Sequence, residues 1–193
     1  MKTTIQSLAR QVATLLGEAI GVDTFPADSP FPDIENRVRI LSPGILSELL
    51  QEMPSHLLPA DTPISGNFSV DADGVGKIYI PDDFLRLVSI QLSDWEKPVT
   101  VVTTDSNRVA MQASAWDGVH GTPKRPVAVC GIDNYGMRCL KLYSTSPESR
   151  VLHALYIPVP KPDSSDSLSY PDSLHSLLIE RLASRFSTGS QCI

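Results

Sequence analysis

The sequence predicts an α+β fold: N-terminal helices, a β-rich insert of about six antiparallel strands, and a C-terminal helix with an extended tail. Three observations lead there. Apolar residues recur at three- and four-residue steps before Pro54 and again after Pro171. Between residues 67 and 160 they alternate with polar residues at strand period. Clusters of Pro, Gly and Asp punctuate the chain, so the helical and extended runs are segregated rather than interleaved. The division that follows is 1–66 helical, 67–160 β-rich, and 161–193 linker, C-terminal helix and tail.

Residues 3–20 read as an amphipathic helix with Ile5, Leu8, Val12, Leu15, Leu16 and Ala19 on one face. Thr3 or Thr4 would cap it, and Gly21 sits where a helix commonly ends. Pro26, Pro30 and Pro32 make 22–34 a loop, with Phe25 and Phe31 as anchors onto the core. A second helical region starts near Asp33, with Ile34, Val38 and Leu41 on a shared face. Ser42-Pro43 reads as a restart, an N-cap serine followed by proline in the first turn. Ile45, Leu46, Leu49, Leu50 and Met53 then form an apolar stripe up to Pro54.

From Asn67 the period becomes β. Phe68 and Val70 lead into the turn Asp71–Gly76, and Ile78 and Ile80 return as a hairpin. Lys77 to Val102 is the centre of this region. It reads as a strand closed by Pro81, a turn at Asp82-Asp83, and a longer strand with Val88, Ile90 and Leu92 on one face. A loop around Trp95 and Pro98 follows, then a strand Val99–Val102. Asp105 or Ser106 caps a short helix through Arg108, Val109, Met111 and Gln112, and the segment around Trp116, Gly118 and Gly121 is irregular. Pro126–Ile132 and Met137–Tyr143 are strands joined by the turn Asp133–Gly136. Val151–Ile157 is another, with Val151, His153, Leu155 and Ile157 on one side. Pro158, Pro160 and Pro162 end it, and the acidic, serine-rich stretch Asp163–Ser169 reads as a linker. Pro171-Asp172 opens the last helix, whose stripe is Leu174, Leu177, Leu178, Leu182 and Phe186, with Arg181 and Arg185 toward its C-terminal end.

Composition narrows the function. The chain has 193 residues and a net charge of −6, which argues against generic nucleic-acid binding. Three cysteines, Cys130, Cys139 and Cys192, form no CxxC, so neither a disulfide framework nor a zinc site is expected and the compartment reads as reducing. No apolar run approaches the roughly 20 residues of a membrane span. No secretion signal is expected either.

A search for chemistry finds no reactive constellation. Gly74-Val75-Gly76-Lys77 fails as a phosphate loop because Asp71 stands where the first glycine belongs and Ile78 where Ser or Thr belongs. Asp71, Asp73 and Gly74 match only part of a calcium loop. Asp82-Asp83 reads as turn and cap oxygens rather than a carboxylate pair. Lys124-Arg125, near Trp116 and His120, reads as a solvated basic loop. Trp95 and Trp116 suit a core rim and a partner anchor equally. Cys130 or Cys139 meeting His153 across a sheet would make a thiol nucleophile, against the commoner outcome of buried, inert thiols. No catalytic residue, metal or cofactor is therefore assigned.

The stretch IYIPDDFLRLVSIQLSDWEKPV, Ile78 to Val99, resembles a pattern of tailed-phage head-to-tail connector proteins. These are the portal adaptors or neck rings of podovirus-like phages, including phages of gut Bacteroidetes. The preceding helices, the strands from Val127 to Ile157 and the terminal helix follow the same order, while the Pro-rich stretch 22–34 has no counterpart in it. The resemblance implies a structural virion protein without enzymatic activity. It would form a ring of twelve copies at the portal vertex, extend the DNA channel and provide the tail attachment site. Partners would be further copies of itself, the portal protein, and tail or other neck-ring proteins. The genome would pass through without specific binding, no membrane would be involved, and assembly would take place in the host cytoplasm. Partner contacts would fall on the terminal helix and tail: Leu174, Leu177, Leu178, Arg181, Leu182, Arg185, Phe186 and Ile193. The contrasting expectation is a small bacterial enzyme or monomeric binding module with a Cys/His site.

Overall fold

A computed structural model of the protein describes residues 1–17, 31–58, 62–103, 106–114 and 120–189. The elements in order are β1 (Lys2–Thr4), α1 (Ile5–Leu15), α2 (Phe31–Glu52), β2 (Thr62–Pro63), β3 (Phe68–Val70), β4 (Gly76–Tyr79) and β5 (Phe84–Leu92). They continue with α3 (Ser106–Met111), β6 (Val127–Ile132), β7 (Arg138–Tyr143), β8 (Val151–Pro158), β9 (Ser167–Ser169) and α4 (His175–Gly189). The chain is α+β, with its strands paired antiparallel. It divides into two compact units, Met1–Pro54 with Val159–Ile193, and Ser55–Pro158. Their limits differ from those read off the composition, because the C-terminal helix belongs with the N-terminal ones.

The first unit is built on three helices. Thr4 caps α1 through its hydroxyl, which accepts from the Ser7 N–H. The buried face of α1 is Ile5, Leu8, Ala9, Val12 and Ala13. Leu15 is 57% exposed, so the buried face of the helix ends at Ala13, before the last leucines of the apolar stripe. Gly17, not Gly21, ends the helix: it takes φ +76°, which glycine adopts without a steric penalty, and its N–H bonds to Thr14. Gly21 and Phe25 lie outside the described residues.

No restart occurs at Ser42-Pro43, where α2 runs unbroken from Phe31 to Glu52. A proline inside a helix forfeits one backbone bond and costs about 3 kcal/mol. Burial of Val38, Ile45, Leu46, Leu49 and Leu50 on both sides of it offsets that cost. Tertiary packing thus overrides a local stop signal.

Asp163–Ser169 is no linker. It forms a tight turn and β9, which pairs with β1 in the register Lys2–Ser169, Thr3–Leu168 and Thr4–Ser167. The Asp163 carboxylate accepts from the Ser165 and Ser167 N–H groups at 2.9 and 3.1 Å and from the Ser165 hydroxyl at 2.7 Å. Lys2 reaches its other oxygen at 2.6 Å, and Arg39 binds Asp166 at 2.6 Å. The acidic, serine-rich composition is therefore turn chemistry, and Leu168 beneath it is fully buried.

In the second unit two sheets share one core. One has the order β2-β8-β5, the other β3-β4-β7-β6. Ile78, Leu140 and Leu142 from the four-stranded sheet meet Leu87, Ile90, Leu92 and Tyr156 from the three-stranded one. The β3–β4 turn closes on Gly74 at φ +73°, with Asp71 bonded to Val75 and Gly74 bonded back to Asp71. The central stretch carries the chain from one sheet to the other: β4 ends at Tyr79, the turn Pro81–Phe84 follows, and β5 begins.

Three register shifts between β5 and β8 break the expected alternation. On β5, Leu87 and Val88 are both buried. On β8, Ala154 and Tyr156 join the core, Val151 packs against it and Ile157 is buried as well, so interior contacts come from both sides of the strand and not only from the side of Val151, His153, Leu155 and Ile157. Val99–Val102 is not a strand. Val99 exchanges two hydrogen bonds with Ile90, and Thr103 bridges Val129.

Candidate interaction surfaces

Of the eight residues expected to bind partners, on α4 and beside it, four are inside the protein. Leu174, Leu178, Leu182 and Phe186 are buried in the first unit, against α1 and α2. The Arg37 guanidinium covers the Phe186 ring at 4.2 Å. Arg181 is held by Glu52 at 2.6 Å and lies 3.8 Å from Glu48, and Arg185 lies 3.7 Å from Glu48. That leaves Leu177, which is 46% exposed. Ile193 lies outside the described residues. The stripe is the core of a three-helix unit, not an unmet surface, and four of the eight expected contacts are corrected on that ground.

The proposed thiol site is not assembled. Cys130 and Cys139 are on β6 and β7 of the four-stranded sheet, whereas His153 is on β8 of the other, opposite Gln91. Cys139 is fully buried, and burial pushes its thiol pKa up, away from a nucleophile. Asp83 accepts from the Tyr156 hydroxyl at 3.0 Å, so it ties β5 to β8 rather than capping a turn. Asp71 pairs with Lys77 at 2.5 Å. Trp95 is a core residue whose indole donates to the Ser144 carbonyl at 2.8 Å. Lys124 and Arg125 sit on an exposed turn closed by Thr122, and Trp116 is not among the described residues. Among those residues no group of three or more His, Cys, Asp or Glu could hold a metal ion. No described helix is long and apolar enough to cross a membrane.

Two exposed features of the second unit stand out among the described residues. The first is the β6–β7 hairpin tip, where Tyr135 is 87% exposed between exposed Ile132 and Met137. It is held rigid by Asp133. One carboxylate oxygen accepts from the Tyr135 and Met137 N–H groups at 2.8 Å each, and the other accepts from the Tyr79 hydroxyl at 2.9 Å. The Met137 N–H, followed by Tyr79 and Tyr135, holds the Asp133 carboxyl below its usual range. A rigid aromatic between aliphatic neighbours is the residue type that anchors protein interfaces.

The second is a groove of about 290 Å³ where the first half of β5 faces β6. Phe84, stacked on Tyr156 with ring centroids 5.6 Å apart, forms one wall. Val101, Cys130 and Arg138 form the other side. Strand periodicity marks which residues could face inward, but not where an inner face outruns its core, so the groove was not visible in the sequence.

No protein-family model matches the chain, and no curated protein matches it.

Proposed function

We propose that this chain is a structural subunit of a tailed-phage neck. It would form a ring between the portal and the tail, of twelve copies by the resemblance. The observation that carries the reading is the residue pattern from Ile78 to Val99. Its place in the fold supports the reading: these residues join the two sheets, and Leu87, Ile90, Leu92, Trp95 and Val99 supply their shared core. The net charge of −6 suits a channel wall that DNA must slide past without being gripped.

Ring contacts in this proposal fall on the hairpin tip and on the exposed strip of α4 at Leu177. The buried leucines of α4 hold the subunit together. The test is particle mass by light scattering together with negative-stain images, with and without purified portal. A closed ring that seats on the portal supports the proposal, and Tyr135→Ala should weaken ring closure while the subunit stays folded. A monodisperse monomer that ignores the portal overturns it.

A further inference from the structure

We infer that a polar cleft of the second unit binds a single sugar ring, through its hydroxyl groups and one apolar face. The inference stands on the cleft itself and does not require the neck ring.

The cleft has a volume of about 460 Å³, within the range of small-molecule sites. Four stretches of chain line it: residues 73–75 in the β3–β4 turn, Gln112 after α3, residues 120–123, and residues 143–145 where β7 ends. Their positions are fixed by hydrogen bonds between them. The Thr145 hydroxyl donates to the Gly74 carbonyl at 2.7 Å. The Gln112 side chain accepts from the Gly121 N–H and donates to the Arg108 carbonyl, each at 2.8 Å. Gly121 lies so close to Tyr143 that an added Cβ would come within 3.2 Å of it. A cleft held in this way loses little further ordering entropy when a ligand enters.

The wall also contains a strained residue. Ser144 takes φ +72°, a left-handed conformation that a residue with a Cβ adopts at a cost. The Trp95 indole, bonded to the Ser144 carbonyl at 2.8 Å, holds it there. Strain of this kind persists where the surroundings impose it, and it gathers at ligand sites.

The lining groups select the ligand. Asp73 contributes a carboxylate, which only accepts hydrogen bonds. The hydroxyls of Thr122, Tyr143 and Ser144 can both donate and accept. Thr122 accepts from the Arg125 N–H at 3.2 Å, which leaves its own proton to donate. Burial raises the pKa of Tyr143, so its phenol keeps its proton and stays a donor. Sugar hydroxyls are donors and acceptors as well, so neighbouring hydroxyls of one ring can serve a carboxylate and a hydroxyl together. The Asp73 charge repels a phosphate or carboxylate ligand. An ammonium ligand donates only, and so cannot answer the donors of the wall. The Tyr143 ring supplies an apolar surface for the C–H face of a sugar.

The test is saturation-transfer NMR on the full chain. The probes are glucose, galactose, mannose and their methyl α-glycosides. For a Kd of about 1 mM, roughly 10 mM of each probe fills most of the sites. At least one sugar should receive transfer. Binding that survives methylation of the anomeric oxygen identifies the ligand as the end of a glycan chain, and binding lost on methylation identifies a free sugar; both support the inference. Asp73→Ala, on an exposed turn, should weaken binding about tenfold, and Tyr143→Phe about three- to tenfold, with the Trp fluorescence midpoint in urea kept in each.

Transfer to none of the sugars overturns the inference. So does transfer that both variants leave unchanged, because the ligand then sits elsewhere. Displacement of the sugar by equimolar inorganic phosphate or putrescine overturns it too, because the cleft then selects charge. A monomer in light scattering that still binds the sugar keeps this inference and removes only the neck ring.

Discussion

Leu182→Ala and Leu177→Ala form a matched pair on one helix. Both are leucine-to-alanine changes within α4, so their effects on helix propensity nearly cancel. They differ in burial: Leu182 is fully buried and Leu177 is 46% exposed. Removing Leu182 forfeits its transfer energy and leaves a cavity among α1, α2 and α4, which costs about 2–5 kcal/mol. Leu177 has little to lose, about 1 kcal/mol or less. The assay is urea unfolding followed by far-UV circular dichroism, which is dominated by the three long helices of the first unit. With a slope of about 1–2 kcal/mol per molar urea, a loss of about 3 kcal/mol lowers the midpoint by about 1.5–3 M. Fluorescence of Trp95 and Trp116, both within Ser55–Pro158, follows the second unit in the same titration. Equal midpoint shifts for the two variants would refute the argument, because α4 would then not be packed on its own chain.

Four further outcomes are expected. Gly44→Ala, at an exposed site in α2 with nothing within 4 Å of the new Cβ, should stabilise by about 0.5–1 kcal/mol in the same urea assay. Gly66→Ala would drive its Cβ into the Tyr79 carbonyl oxygen, so the Trp fluorescence midpoint should fall by the equivalent of about 1–3 kcal/mol or more. In the Cys192→Ser background one thiol, Cys130, should react with a colorimetric reagent in the native protein, and Cys139 only on denaturation; two fast thiols would contradict the burial of Cys139. Asp163 is held below the usual carboxylate range first by Lys2 and then by Ser165, and Asp166 by Arg39. Because these folded-state values lie below the unfolded value near about 3.9, the stability they contribute is complete above that value and is lost as the pH falls through the folded ones. Thermal unfolding of the helical unit should therefore weaken below about pH 4. The Asp163→Asn/Asp166→Asn variant should show a shallower acid dependence, and an unchanged profile would discount both pairs.

The sequence by itself determined what periodicity and turn chemistry encode. The helical and β regions, the β3–β4 hairpin at Gly74, the turn at Asp133 and the opening of the last helix at Pro171-Asp172 all follow from residue type and spacing, because each depends on neighbours within a few positions. Only the tertiary structure decided what depends on distant partners. Pro43 sits inside α2 because the faces on either side of it are buried together. Asp163–Ser169 is a turn and strand because Lys2, Arg39 and β1 stand opposite it. The core face of β8 is set by register shifts against β5 that no alternation in either strand records. The apolar stripe of α4 could equally have faced a neighbour or the chain's own helices, since a hydrophobic pattern states that a face must be covered but not by what. The groove beside Arg138 exists because two sheet edges diverge past their shared core, a fact of packing geometry that neither strand carries alone.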